Sequence, residues 1–477
     1  MIWFTWVACL WLLYVALARR FHPQLAAGVI VPLAWLAPVW VQWTIFQPNN
    51  GSIVGTGIDV KLGVSTAVLV SYLFFKRSTY PFRLVPCDYA MIGMVFVHGL
   101  SDVYHQGLQP IILGRMYAEW WAPYVVGRIA FQFRRDISTF WPALAAVAIW
   151  LGILSVLETI TEYSVYEALF GTRPSEGIVV GHEFKRWGMR RACGPTLNPI
   201  YFGCLQLLLL AWTSYAALLA ARKQASIAWL AAPIVSGLGI FCSGSRAPIL
   251  GMLLFIPTLL FFRFPKLRWG MLALALAGGV ILISQREMLI ESLERWSGED
   301  RVYGADVRML VNDESKEFSN TRYRLLLFDV YKIAVKRGGL LGFGSEAVTG
   351  FPIQVPVGPQ EFDTLRKMRS IDNVYLLVTL RFGYLGLICF ALAACTAIYQ
   401  LFAITDPLRT ENIGLLTACL GSSLAVILPV IFTVWMPQDY GFILVWSWGA
   451  SSGMYLAHRS GTFDSPAPMP QSRRLKL

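Results

Sequence analysis

The chain has 477 residues, 56% of them apolar and only 14% charged, with a mean hydropathy of +0.55. Soluble domains carry about 25% charged residues, so the composition excludes an ordinary soluble enzyme and points to a polytopic membrane protein. The net charge of +12 is not a nucleic-acid footprint, because the basic residues fall mostly in short loops between apolar blocks; no nucleic-acid partner is expected.

Apolar blocks occur at residues 2–18, 24–46, 59–75, 88–105, 110–132, 138–158, 198–221, 226–242, 245–262, 267–285, 372–402, 412–434 and 439–457. Each is near the length a helix needs to cross the hydrocarbon. The expected architecture is therefore an all-α membrane helix bundle of about 12–14 spans. It divides into an N-terminal bundle (1–285), a polar extracytoplasmic loop of partly helical structure (286–371), a C-terminal bundle (372–457) and a disordered cytoplasmic tail (458–477). The first block has no basic residue ahead of it and Arg19-Arg20 behind it, so it reads as a retained span and not a cleaved leader.

Orientation follows from Lys and Arg. The clusters at Arg19-Arg20, Lys76-Arg77, Arg134-Arg135, Arg222-Lys223, Arg263 to Arg268, Arg409 and Arg473-Arg474 all fall on one side if the N-terminus is outside. The long loop then lies outside, with a second polar stretch, 159–197. Of the eight cysteines, Cys9, Cys204, Cys242, Cys389, Cys395 and Cys419 read as packing residues. Cys193 is expected to face the outer compartment, and no disulfide framework is expected.

Four motifs carry candidate chemistry. In Arg190-Arg191-Ala-Cys-Gly194-Pro195-Thr-Leu-Asn198-Pro199, Asn198 suits a helix N-cap and Pro199 a first helical position. Ser243-Gly244-Ser245-Arg246 precedes another span, with Ser245 expected as its cap. Cations at a helix N-terminus oppose the dipole, so an anion bound there removes a conflict. Thr321 to Val335 reads as an amphipathic helix with Leu325, Phe328, Ile333 and Val335 mainly on one side, ended by Gly338-Gly339. Ser370-Ile-Asp372-Asn373-Val-Tyr375 opens a later span, followed by Arg381, Gly383 and Gly386. Each motif has a structural use as well: the arginines as headgroup anchors, the loop helix as a surface helix on the bilayer, and Asp372 as a cap, which would lower its pKa and spoil it as a base. Arg115 and Glu119 lie four apart within one block. Ionisable residues in spans suggest function, although that spacing permits a self-satisfied ion pair.

These motifs, in this order, resemble the O-antigen ligase and polysaccharide polymerase superfamily of bacterial envelope enzymes. The matching residues are Arg191, Gly194, Asn198 and Pro199; Ser245-Arg246; Arg322 and Gly342 to Gly344; then Asp372-Asn373, Tyr375-Leu376, Gly383 and Gly386. The resemblance implies a membrane glycosyltransferase of the GT-C type in the bacterial inner membrane, its site facing the periplasm. Such an enzyme moves glycan from an undecaprenyl diphosphate carrier to an acceptor glycan hydroxyl, with inversion and without a metal or other cofactor. Ligases of the family place O-antigen on lipid A-core and carry His where this chain has Asp372, a departure that favours a polymerase.

On that resemblance Arg191 and Arg246 would meet the charge of the diphosphate leaving group, with Arg190 as a substitute for the first. Arg322 would bind diphosphate or sugar, and Asp372 would orient or deprotonate the acceptor hydroxyl. Asn198, Ser245, Asn373 and Tyr375 would line the substrate. No Asp-x-Asp cluster suggests a metal site. A flippase and a chain-length regulator are the expected protein partners, beside the bilayer. Two other classes stay open. A lipid-linked-sugar flippase predicts repeats around a midplane site, and a non-catalytic assembly factor predicts tolerance to loss of Asp372 and both arginines.

Overall fold

The computed structural model describes residues 2–20, 23–46, 56–74, 83–132, 134–173, 185–297, 308–311, 314–317, 322–346, 355, 371–406, 408 and 411–461. The first half holds α1 (Ile2–Arg20), α2 (Pro23–Ala34), β1 (Gln42–Phe46), β2 (Thr56–Asp59), α3 (Val60–Phe74), α4 (Pro86–Gln106), α5 (Pro110–Met116), α6 (Ala122–Ala130), α7 (Arg134–Thr161), α8 (Val165–Phe170) and the hairpin β3 (Lys185–Arg186) and β4 (Met189–Arg190). Then come α9 (Pro199–Ala221), α10 (Ala232–Cys242), α11 (Arg246–Arg263), α12 (Arg268–Ser284), α13 (Arg286–Ser297), the hairpin β5 (Arg308–Val311) and β6 (Glu314–Glu317), α14 (Tyr323–Gly338), α15 (Val374–Thr405), α16 (Asn412–Val430) and α17 (Gln438–Arg459).

The protein is an all-α, multi-pass membrane bundle. Among the described residues six helices are long and apolar enough to cross a membrane: Ile2–Arg20, Phe140–Thr161, Pro199–Ala221, Arg246–Arg263, Val374–Thr405 and Asn412–Thr433. α9 is the central post. It is buried over nearly its whole length, and α7, α10, α16 and α17 pack around it. The block 24–46 is not the single span expected. It is helical only to Ala34; the chain then turns, and β1 pairs antiparallel with β2. Pro38 accounts for the break, since it cannot donate to a helix and restricts the residue before it.

The loops expected outside meet one another at one end of the bundle. Val39 N–H donates to Pro195 O (3.1 Å) and Leu197 N–H to Asp439 Oδ2 (3.2 Å). Arg324 Nε donates to Thr433 O (2.9 Å), and Ser345 N–H to Asp102 Oδ1 (2.6 Å). The opposite end is tied by its own polar pairs, Arg268 with Asp406 (3.0 Å) and Arg222 with Asn412 (3.3 Å). Buried Arg128 bonds Asp88 (2.8 Å) and the Arg83 carbonyl (2.7 Å).

α14 confirms a helix in the long loop but divides the side expected to be apolar: Val335 packs inward against the buried cluster, and the Leu325 side chain lies outside those described. Leu326, Leu327, Val330, Tyr331 and Ala334 are buried against Ile371, Leu376, Leu377 and Leu380, while Phe328 and Ile333 are exposed. The apolar set on this helix is wide enough to offer two stripes, and α15 takes the one containing Tyr331. α14 thus packs on protein. The turn after it is stitched into a break in α15: Phe343 N–H donates to Leu380 O (2.8 Å), Gly344 N–H to Arg381 O (2.9 Å) and Tyr384 N–H to Gly339 O (3.0 Å). The break is Gly383, at φ 66° and ψ −165°, where a Cβ would strike the Leu340 carbonyl. Gly383→Ala is expected to cost about 2–5 kcal/mol from backbone strain and overpacking together. The check is the thermal midpoint of detergent-purified protein; an unchanged midpoint would mean that the turn and the break separate freely.

Candidate active site

α9 begins as the sequence suggests: Asn198 is its N-cap, with Oδ1 accepting from Ile200 N–H (3.0 Å), and Pro199 is its first residue. Ahead of it, the 191–198 segment is pinned to the turn between α10 and α11. Ala192 N–H donates to Cys242 O (2.9 Å). Arg191 then lies across that turn, Nε donating to Ser243 O (3.0 Å) and Nη2 to Ser245 Oγ (2.9 Å). Gly244, at φ 58°, makes the close approach feasible, since a Cβ there would stand 3.0 Å from Arg191 Cγ. Arg186, on the β3–β4 hairpin, donates from Nη1 to Gly244 O (2.6 Å). Arg246, partly buried, is the first residue of α11. Arg186 and Arg191 therefore both bind the turn whose next residue is Arg246, beside the start of α9.

Ser245 sits at the N-cap position without capping. Its hydroxyl accepts from Arg191 and donates to Ser243 O (3.2 Å). Arg190 points into an acidic group: Nη1 donates to Glu162 O (2.5 Å), and Nη2 lies 3.4 Å from Glu167 and 3.8 Å from Glu158. Arg322 pairs with Glu287 on α13 (3.3 Å). Cys193, on the segment expected to face the outer compartment, is fully buried within the protein, and burial pushes its thiol up to about 12. Its segment folds inward because buried Glu158 holds it.

Asp372 does not cap its helix. Asn373 is the N-cap, its Oδ1 accepting from Leu376 N–H (2.9 Å), which removes the capping objection to Asp372 as a base. Asp372 is among the charges acting on Tyr440, whose ring lies 6.2 Å from that of Tyr201 on the first turn of α9. Tyr375 spends its hydroxyl on Leu428 O (2.9 Å). The Arg115–Glu119 pair does not form. Arg115 binds Ser345 Oγ (3.1 Å) and Glu346 (2.7 Å), while Glu119 lies in a π-helical stretch, Tyr117–Trp121, that swings it off the α-helical i,i+4 line.

Fold and site together define a multi-pass membrane protein in which Arg186 and Arg191 are bound to the turn ahead of α11. Residues 231–391, about a third of the chain, match the family model described as O-antigen ligase. This segment, running from the approach to α10 to the middle of α15, is similar to the O-antigen ligase family. No curated protein matches the chain.

Sequence reading missed Arg186, Arg173 and Glu158. Glu158, at the end of α7, takes the Cys193 and Gly194 N–H groups on Oε2 (3.2 and 3.0 Å), and Arg173 Nη2 donates to Gly194 O (3.2 Å). One acid and one base thus clamp the Gly194 peptide from both sides, three residues from Arg191. An acid at the edge of an apolar block was the available signal, since such residues are costly in membranes. Glu158→Ala leaves the buried Cys193 and Gly194 N–H groups without their acceptor and takes one carboxylate from Arg173 and Arg190, which keep Glu167, and should destabilise by about 3 kcal/mol or more. The thermal midpoint of purified protein measures this; a midpoint equal to wild type would show that the clamp is dispensable.

Proposed function

We propose that the protein is a polysaccharide polymerase of the bacterial inner membrane, working on its periplasmic side. The acceptor hydroxyl oxygen attacks the anomeric carbon of a glycan held on undecaprenyl diphosphate. The bond from that carbon to the phosphate oxygen breaks, its electron pair leaves with the diphosphate, and the configuration inverts. The hydroxyl proton passes to Asp372. The observation that carries this reading is the gathering of Arg186 and Arg191 on the Ser243–Ser245 turn, directly before Arg246 and beside the N-termini of α9 and α11. Helix N-termini and preorganised guanidinium groups stabilise a developing diphosphate in a water-poor site, with no metal required.

A ligase is the second reading, favoured by the description of the matched family. Against it, ligases of the resembling family carry His at the Asp372 position. The lipid-linked species accumulating in a deletion strain separates the two: single repeat units support the polymerase, and finished chains still on the carrier support the ligase. Arg191→Ala and Arg246→Ala are each expected to abolish chain growth at normal protein level, a loss of about 100-fold or more. Arg191→Lys should not rescue, because lysine lacks the planar fork that spans Ser243 and Ser245. Full-length polymer from either alanine variant would remove the arginines from the mechanism.

A further inference from the structure

A second polar group lies at the same end of the bundle, away from the arginine turn. Arg381 precedes the Gly383 break in α15, its guanidinium 5.2 Å from the Trp435 ring centroid. Its Nε is sealed from solvent and has no hydrogen-bond partner. The charges of Glu119, Asp102 and Arg115 act on it. Yet among the described residues no carboxylate comes within ion-pair distance of it.

Two of those neighbours are already engaged. Asp102 takes hydrogen bonds from Ser345 N–H and Ser345 Oγ, both 2.6 Å, and contacts His98 Nε2 at 3.2 Å. Arg115 is held by Ser345 and Glu346. Glu119 is different. Its nearest polar contact given by the structure is His98 Nδ1, at 3.9 Å. That nitrogen accepts from the Trp120 indole N–H (2.9 Å), and an indole N–H can only donate. Two acceptors therefore meet, and the contact satisfies neither. Glu119 keeps 27% of its side chain exposed, and it sits in the π-helical stretch, a local geometry frequent at functional sites.

A guanidinium only donates, and a carboxylate only accepts. Here the two stand within electrostatic reach but short of contact, beside an indole. An anion at this place would be opposed by Glu119, and a cation by Arg381. A hydroxyl suits both, because it donates and accepts at once. A ring that carries several hydroxyls, with an apolar C–H face for the indole, suits all three side chains. We propose that Arg381, Glu119 and Trp435 form a glycan subsite, distinct from the diphosphate-binding arginines. The inference rests on the glycan-transfer reading above and assigns part of the sugar chain to residues outside its phosphate site.

The test uses full-length protein in nanodiscs, titrated with two probes and read by intrinsic tryptophan fluorescence. One probe is the oligosaccharide repeat released from the host polysaccharide, and the other is inorganic pyrophosphate. Glu119→Gln and Arg381→Gln should each weaken oligosaccharide binding about tenfold or more, through loss of a hydrogen bond to a charged group, and leave pyrophosphate binding unchanged. Trp435→Phe, which keeps a ring, should weaken the oligosaccharide less. Arg191→Ala should do the reverse, losing pyrophosphate and keeping oligosaccharide. Should Arg381→Gln fail to fold, Glu119→Gln alone decides, being isosteric and partly exposed. Oligosaccharide affinity equal to wild type in Glu119→Gln, or no saturable binding by wild type, overturns the subsite and leaves the gap to water. Pyrophosphate binding unaffected by Arg191→Ala counts instead against the phosphate site, so the two failures are distinguishable.

Discussion

Arg191, braced over the turn between α10 and α11, is the interaction on which the rest of the site depends. A helix beginning at a water-poor rim must have its backbone groups met by protein. Here side chains meet them. Arg191 and Arg186 take the Ser243 and Gly244 carbonyls, Asn198 caps α9, and Glu158 with Arg173 clamps the Gly194 peptide. The outcome is several positive charges held near two helix N-termini. That arrangement is unfavourable for an empty helix end and favourable for one that receives an anion.

The region around the Gly383 break is organised first by backbone hydrogen bonds. The 339–344 turn and the break at Gly383 exchange hydrogen bonds, which tie the end of the loop helix α14 to the first part of α15. The segment after α16 is gripped on two sides, with Arg324 on Thr433 and Arg381 over Trp435. Tyr440 hands its hydroxyl to Trp435 O (2.7 Å) and places its ring beside Tyr201. Asp372 and the start of α9 are thereby linked through one short loop, which gives the two sides of the proposed reaction a common frame.

Much of this was legible in the chain itself. Length and hydropathy located the helices, because a bilayer demands long apolar blocks with internal hydrogen bonding. Asn198-Pro199 named its own cap and first turn. What failed to read through were choices made by tertiary packing. Ser245 and Asp372 each sit where a cap is expected, but Arg191 claims the first hydroxyl and Asn373 replaces the second. The buried stripe of α14 was decided by α15, the neighbour that covers it. Arg115 and Glu119 obeyed helical spacing on paper, whereas Arg115 turns to Ser345 and Glu346 and Glu119 lies in a π-helical stretch. Pro38 was visible, yet the apolar run around it outweighed the break it imposes.

The most direct measurement of the central claim is a cryo-electron microscopy map of the full-length protein with undecaprenyl diphosphate bound in a nanodisc. The account requires diphosphate density against the Ser243–Arg246 turn, within hydrogen-bonding distance of Arg191 and Arg246, at the N-terminal ends of α9 and α11. Diphosphate bound at another place on the bundle, with Arg191 still closed on Ser243 and Ser245, would contradict it.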